Sequence, residues 1–307
     1  MKNFLYLVTF ALLLLPFRVV AQDEDFTEVD FNIDSMMLVY QRHTDSIEST
    51  LTFYTDTTVQ LGEELATLTI PAGYRFIGAD DARTVLVDLW GNPPGVAEGT
   101  FGMLFPDSLS VLDDACYGID IFFTEDGYVD DSDAADIDYA DLLDQMRSDM
   151  VLENESRAEA GYETIDLIGW AQAPSYDAVN KRLHWAKELY FEGEEGNTLN
   201  YNVRFLGRRG YLTMNVIGGI EDLPRVNENL DGILTSVNYN EGHRYADFTP
   251  GIDEVAGYGI AALVAGKVLA KTGLLASIGI FLLKGWKLIM VAIVAGGAGI
   301  KKMMGKS

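Results

Sequence analysis

Through the second half of the chain, apolar and polar residues change places with two distinct periods. Leu183, Trp185, Leu189 and Phe191, together with Lys187, alternate with their neighbours, and so do Leu199, Tyr201, Val203 and Phe205. A period of two puts every second side chain on one face of a sheet, so these stretches predict strands over 182–191 and 198–206. Similar runs predict strands at Ile165–Gln172 and Tyr211–Ile217. Gly207-Arg208-Arg209-Gly210 reads as a hairpin turn, which makes the sheet at least partly antiparallel. Upstream, Leu65–Ile70 and Tyr74–Ile77 read as short strands joined by the turn Pro71-Ala72-Gly73, and Phe101–Phe105 and Tyr117–Thr124 as two more. The other period is helical. Met36, Val39, Tyr40, His43, Ile47 and Leu51 define a modest amphipathic helix with His43 on its surface. Tyr139, Leu142, Leu143, Met146 and Met150 line one face of a longer helix ended by Gly161, and Leu223-Pro224 opens a third to about Val237. Asp80 or Asp81 is placed to cap a helix from Ala82 to Leu89, which Gly91-Asn92-Pro93-Pro94-Gly95 stops. The pattern predicts an α+β domain: a mainly antiparallel sheet with flanking helices.

Two segments break this pattern. Val255 to Ser307 has no acidic residue and carries only Lys267, Lys271, Lys284, Lys287, Lys301, Lys302 and Lys306 among apolar residues, which predicts a membrane segment. Its longest lysine-free run, Leu288–Ile300, covers only about 20 Å at 1.5 Å per residue. A spanning helix of about 20 residues must therefore take in Lys284 and Lys287, giving a C-terminal transmembrane helix over 276–300 and a basic tail at 301–307. The rival arrangement is a helical hairpin turning at Lys284–Lys287. Residues 255–275, with Lys267 and Lys271 on one face, suit an interfacial helix. Ala292, Ala295, Gly296 and Gly299 have the spacing through which such helices pack into homo-oligomers, or they are ordinary membrane filler. At the other end, a basic Met1-Lys2-Asn3, an apolar Phe4–Phe17 and Val19-Val20-Ala21 read as a secretory signal peptide over 1–21, with an uncleaved anchor as the alternative. Residues 22–54 then form an acidic N-terminal segment with the short helix, and 55–250 the exported domain, outside the cytoplasm.

Charge changes what that domain can meet. All 47 acidic residues lie between Asp23 and Glu254, against 13 basic ones, since Lys2, Arg18 and the seven tail lysines fall outside. Nucleic acid and anionic headgroups are poor partners for such a surface, whereas cations are electrostatically suited; the plain alternative is that the charge keeps the domain soluble. The run Glu125, Asp126, Asp130, Asp131, Asp133, Asp136 and Asp138 sharpens the cation question. With Gly127 at the sixth position of a calcium loop, Asp130 and Asp133 fall at the ninth and twelfth, making Asp126, Asp130 and Asp133 candidate Ca2+ ligands. Phe122 and Thr124 occupy the first and third positions, so half the carboxylates are missing. The alternative is a turn at Asp126-Gly127, with Asp131, Ser132 and Asp133 capping the helix that follows.

Catalytic chemistry has thin support. Cys116 is the only cysteine and excludes an intrachain disulfide; with His184 and His243 it is the available nucleophile-and-base set, yet no spacing brings the three together. His184 points away from the face shared by Leu183 and Trp185. No zinc spacing, phosphate loop or Gly-x-Ser-x-Gly elbow occurs, and no cofactor other than Ca2+ is suggested. Arg208 and Arg209, with Arg204, are suited to a carboxylate or phosphate, or form a solvated turn. Trp90, Asn92, Pro93 and Pro94 make a stiff loop suited to recognition, unless Trp90 plugs the core.

Several short motifs occur in one order: Ile70-Pro71-Ala72-Gly73-Tyr74, Ala79-Asp80-Asp81-Ala82-Arg83, Trp90-Gly91-Asn92-Pro93-Pro94, Glu125-Asp126-Gly127-Tyr128-Val129, Trp185-Ala186-Lys187-Glu188, Gly207-Arg208-Arg209-Gly210, Gly242-His243-Arg244-Tyr245 and Ala262-Leu263-Val264-Ala265-Gly266-Lys267. In these the chain resembles the bacterial family named domain of unknown function 2167. The resemblance covers residues 55 to 300 and implies a membrane-anchored bacterial envelope protein; it supplies no activity and no catalytic residues. The resulting expectation is a non-catalytic binding or scaffolding module with an envelope-protein partner. A Ca2+-responsive domain and a Cys/His hydrolase are the alternatives.

Overall fold

Seven of the alternating segments line up in one antiparallel sheet, and everything else packs on its two faces. The computed structural model describes residues 42, 45–92, 94–113, 115–159 and 163–266. In chain order the elements are β1 (Thr58–Leu61), β2 (Ala66–Thr69), β3 (Tyr74–Gly78), α1 (Ala79–Arg83), a π-helical stretch (Thr84–Leu89), β4 (Thr100–Pro106), β5 (Gly118–Thr124), β6 (Tyr128–Asp130) and α2 (Tyr139–Glu159). There follow β7 (Ile165–Asp177), β8 (Arg182–Phe191), β9 (Thr198–Leu206), β10 (Tyr211–Gly219), α3 (Leu223–Glu228), α4 (Leu230–Ser236), β11 (Val237–Tyr239), β12 (Val255–Gly259) and α5 (Ile260–Ala265). The large sheet has the order β3-β4-β5-β10-β9-β8-β7; β1-β2-β11 form a small sheet, and β12 pairs with β6 in parallel.

Alternation decides which side chains meet. On the first face Phe76, Leu104, Ile119, Ile121, Tyr201, Val203, Leu212, Met214 and Val216 form one core with Leu61 and Leu68 of the small sheet and Val226 and Ile233 of α3 and α4. The second face carries two separate clusters. Leu183, Trp185 and Leu189 pack with Leu142 and Met146 of α2 and with Ile260, Leu263 and Val264 of α5. At the opposite end Ile77, Met103 and Phe105 pack with Ala82, Val85, Leu86 and Leu89. The architecture is α+β, mainly antiparallel, with flanking helices.

Several expected elements are built differently. The Pro71–Gly73 turn joins strands of two different sheets, because β2 pairs with β1 and β11 while β3 pairs with β4. Helix α1 begins at Ala79 with Gly78 as its N-cap, so Asp80 and Asp81 sit in its first turn, where acidic charge is also favoured. Its continuation widens into a π-helix in which Trp90 N donates to Val85 O, 2.8 Å, and the Asn92 amide donates to Leu86 O, 2.7 Å. The helix expected from Leu223 to Val237 breaks at Asn229 and gives Val237 to β11. Strand β7 runs on to Asp177 through three bulges against β8.

The largest correction concerns the start of the expected interfacial helix. Residues 255–259 are a strand and 260–265 a short helix that buries Ile260, Leu263 and Val264 in the domain core rather than laying them on a bilayer. Those apolar residues find a ready partner in α2 and β8. Among the described residues no helix is long and apolar enough to cross a membrane. The expected span at 276–300, signal at 1–21, His43 and Gly161 lie outside the described residues.

Trp90 is part of this packing. Its indole donates to Val111 O, 3.2 Å, and meets the Phe105 ring edge-on at 6.0 Å, and its far ring atom fills the space a side chain at Gly118 would need. Trp90→Ala should cost about 3–5 kcal/mol, read as a lowered urea midpoint with an unchanged slope.

Candidate functional site

The acidic run folds into a clasp around the C-terminal segment. Asp126 accepts a hydrogen bond from Tyr258 Oη at 2.6 Å. Asp131 accepts three, from Tyr176 Oη at 2.6 Å, Lys181 Nζ at 2.6 Å and Tyr245 Oη at 3.0 Å. Asp133 accepts the backbone N–H groups of Ile260 (2.9 Å) and Ala261 (3.1 Å), so it caps α5. The helix that follows it in sequence, α2, is capped by Asp138 through Ala140 N and Asp141 N. Asp130 accepts the amide of Ser132. Tyr128 stacks on Phe248 at 3.9 Å and lies against Tyr245. Gly127, at φ +91°, permits the approach: a Cβ there would stand 2.9 Å from Glu254 O.

Electrostatics favour this arrangement. Burial works against the charge of Asp131, but Lys181 and the two tyrosine hydroxyls outweigh it and hold its carboxyl below the usual range. Burial, then the carboxylate each donates to, pushes Tyr176 and Tyr258 up, so both remain donors. Asp126, Asp130 and Asp133 face three different partners. Among the described residues no group of three His, Cys, Asp or Glu side chains is placed to hold a metal ion.

The other candidates scatter. Cys116 is buried on the second face, where burial pushes its thiol up to about 12, leaving no thiolate at neutral pH. His184 lies on the first face, half-buried rather than exposed, with Nδ1 2.9 Å from Tyr201 Oη, and burial pushes its pKa down. It lines a recess of about 350 Å³ with Ser175, Asp177, Arg182, Asp231 and Thr235. His243 sits in the loop after β11, its carbonyl accepting Arg208 N. Arg208 is paired with Asp253 at 2.7 Å, whereas Arg209 is exposed. Arg204 points to the second face, so the arginine trio is split. Asn92 is buried, Pro94 is exposed, and Pro93 lies outside the described residues.

Sequence reasoning missed a polar strip between the two clusters of the second face. Register sets it out: Asp120 pairs with Asn215, Asn215 with Asn202 and Asn202 with Trp185; in the next row Phe122, Thr213, Arg204 and Leu183 follow one another. Asn200 donates to Asn215, and Asn202 to Asn200 at 2.8 Å. Asp120 accepts the Thr100 hydroxyl at 2.6 Å, and burial pushes its carboxyl up to about 6. The signal was available: in β9 the residues alternating with Leu199, Tyr201 and Val203 are Asn200, Asn202 and Arg204.

Sheet order, two-sided cover and clasp together describe an antiparallel α+β domain with its C-terminal segment docked along one edge of the second face. The chain belongs to the family described as protein of unknown function (DUF2167), whose model matches residues 53–295. No curated protein matches it. Among solved structures it is similar to the solution structure of cyanobacterial PsbP (CyanoP) from Synechocystis sp. PCC 6803, at 12% identity over 62% of this chain and 92% of that one, with a TM-score of 0.34.

Two measurements address the site. Asp120 has its folded pKa raised from 3.8 to about 6, so the folded state binds the extra proton between those values and stability falls as pH rises through them. Asp120→Asn should remove that loss, which amounts to about 3 kcal/mol at 1.36 kcal/mol per unit, in urea unfolding at pH 4 and pH 7. Asp133→Ala should speed amide exchange at Ile260 and Ala261 about five-fold, as loss of a cap worth about 1 kcal/mol requires.

Proposed function

We propose that this chain is a membrane-tethered, exported domain of the bacterial envelope that works by binding, presenting an acidic domain to another envelope protein. The observation that carries this reading is the clasp. The last described residues before the apolar tail are built into the domain by β12, α5 and three hydrogen bonds to carboxylates, a firm mount for a domain held at a membrane. The charge distribution supports it too, with 47 acidic residues ahead of a tail that has only lysines. The acidic run serves the mount in this reading, and calcium is not required.

Cys116 is the one native thiol and is buried, so an added surface cysteine can be labelled against a low background. Val179, 88% exposed at the β7–β8 turn, is a suitable position. In intact cells with a permeabilised outer layer, Val179→Cys should react with a membrane-impermeant maleimide, and truncation after Gly266 should release the domain from membranes. Labelling only after lysis, or retention of the truncated chain, would sink the tethered reading. Addition of millimolar calcium should leave the melting temperature unchanged.

A further inference from the structure

We propose that Arg204, Lys187 and the Trp185 indole form a binding site for a small oxyanion, a phosphate or carboxylate group, on the second face of the sheet. The inference is independent of the tether. Arg204 on β9 and Lys187 on β8 lie on the same face, on either side of the cross-strand pair Trp185–Asn202. The Arg204 guanidinium carbon stands 5.4 Å from the ring centres of both Trp185 and Tyr211, so two aromatic rings hold it in place. Its Nε and Nη1 are inaccessible to solvent and have no hydrogen-bond partner. The Trp185 indole N–H, on a side chain 2% exposed, is also unpartnered, and so is the hydroxyl of fully buried Thr213, directly across from Arg204 in register.

Four unpaired polar groups on neighbouring residues run against the general rule that buried donors are satisfied. Three are donors only, and guanidinium and indole N–H groups are the donors that the oxygens of a carboxylate or phosphate accept from. Charge points the same way. In a chain with 47 acidic and 22 basic residues, neither Arg204 nor Lys187 forms a salt bridge among the described residues. Burial, and after it the charge of Arg204, brings Lys187 down to about 8 against the pull of Glu153, and burial brings Arg204 down to about 10. A bound anion would relieve both shifts at once.

The lowered Lys187 amine supplies a direct readout. The full chain in detergent is treated with acetic anhydride at pH 8, and modification of Lys187 is quantified by mass spectrometry in sodium phosphate, in sodium citrate and in sodium chloride of equal ionic strength. Phosphate or citrate should protect Lys187 about ten-fold relative to chloride at ten times its dissociation constant. Protection by phosphate alone assigns a phosphoryl ligand, and by citrate alone a carboxylate. Arg204→Met should abolish the protection while far-UV circular dichroism stays unchanged. If that variant does not fold, Lys187→Met is used instead, and the rise in melting temperature on adding the protecting anion should disappear. Equal modification of Lys187 in all three salts at tens of millimolar, or a melting rise that survives Lys187→Met, would overturn the proposal.

Discussion

The pairing of β5 with β10 is the constraint on which the rest of the molecule depends. Seven residues, from Thr124 opposite Tyr211 to Gly118 opposite Ile217, join the early three-strand meander to the later four-strand one. Closing that loop costs chain entropy before any contact offsets it, so the contacts it brings together must be extensive. They are: Ile119 and Ile121 meet Val216 and Met214 on the first face, and on the second Asp120 and Phe122 meet Asn215 and Thr213. The same pairing places β6, which follows β5, beside the strand that leads to the apolar tail. The clasp and the polar strip both follow from it.

The two faces carry different chemistry because they are covered differently. The first is sealed by a second sheet and two helices into a continuous apolar core. The second is covered from its two ends, by α1 with its π-helical extension and by α2 with α5, and the strands between carry Asn200, Asn202, Thr213, Asn215 and Asp120. An apolar middle would be the cheaper way to stabilise a sheet, since each unpaired buried polar group costs about 1–3 kcal/mol. Retaining such groups is the expected mark of a site where stability is given up for binding.

Most of the sheet was legible from period-two alternation, and β8 and β9 begin where the pattern places them. The misses have physical causes. β1 is four residues long and has one buried side chain, so its periodicity is too short to register. Whether β2 and β3 pair is decided by long-range partners, which local pattern does not carry. The acidic run was readable as a set of caps but not as to which helix, because Asp133 caps α5, 127 residues further on. Val255–Ala265 resembled membrane filler because a buried strand and helix are as apolar as a bilayer segment. The polar strip stood in plain view in β9, but polar residues alternating in a strand ordinarily mean a solvated face.

Clasp and strip are parts of one connected structure. Tyr258 donates to Asp126 in the clasp and is hydrogen-bonded with Tyr211, over whose ring the Arg204 guanidinium of the strip stands at 5.4 Å. A chain of contacts therefore runs from Arg204 through Tyr211 and Tyr258 to Asp126 and β12. Any coupling such a chain carries is reciprocal: a charge beside Arg204 that altered the Tyr258–Asp126 bond would itself be bound differently once that bond were lost. The acidic surface repels anions from the domain as a whole, which makes a local, unpaired cationic pair on its second face the more selective feature. A ligand held beside Arg204 would be joined through Tyr211 and Tyr258 to β12, the strand that leads toward the apolar tail.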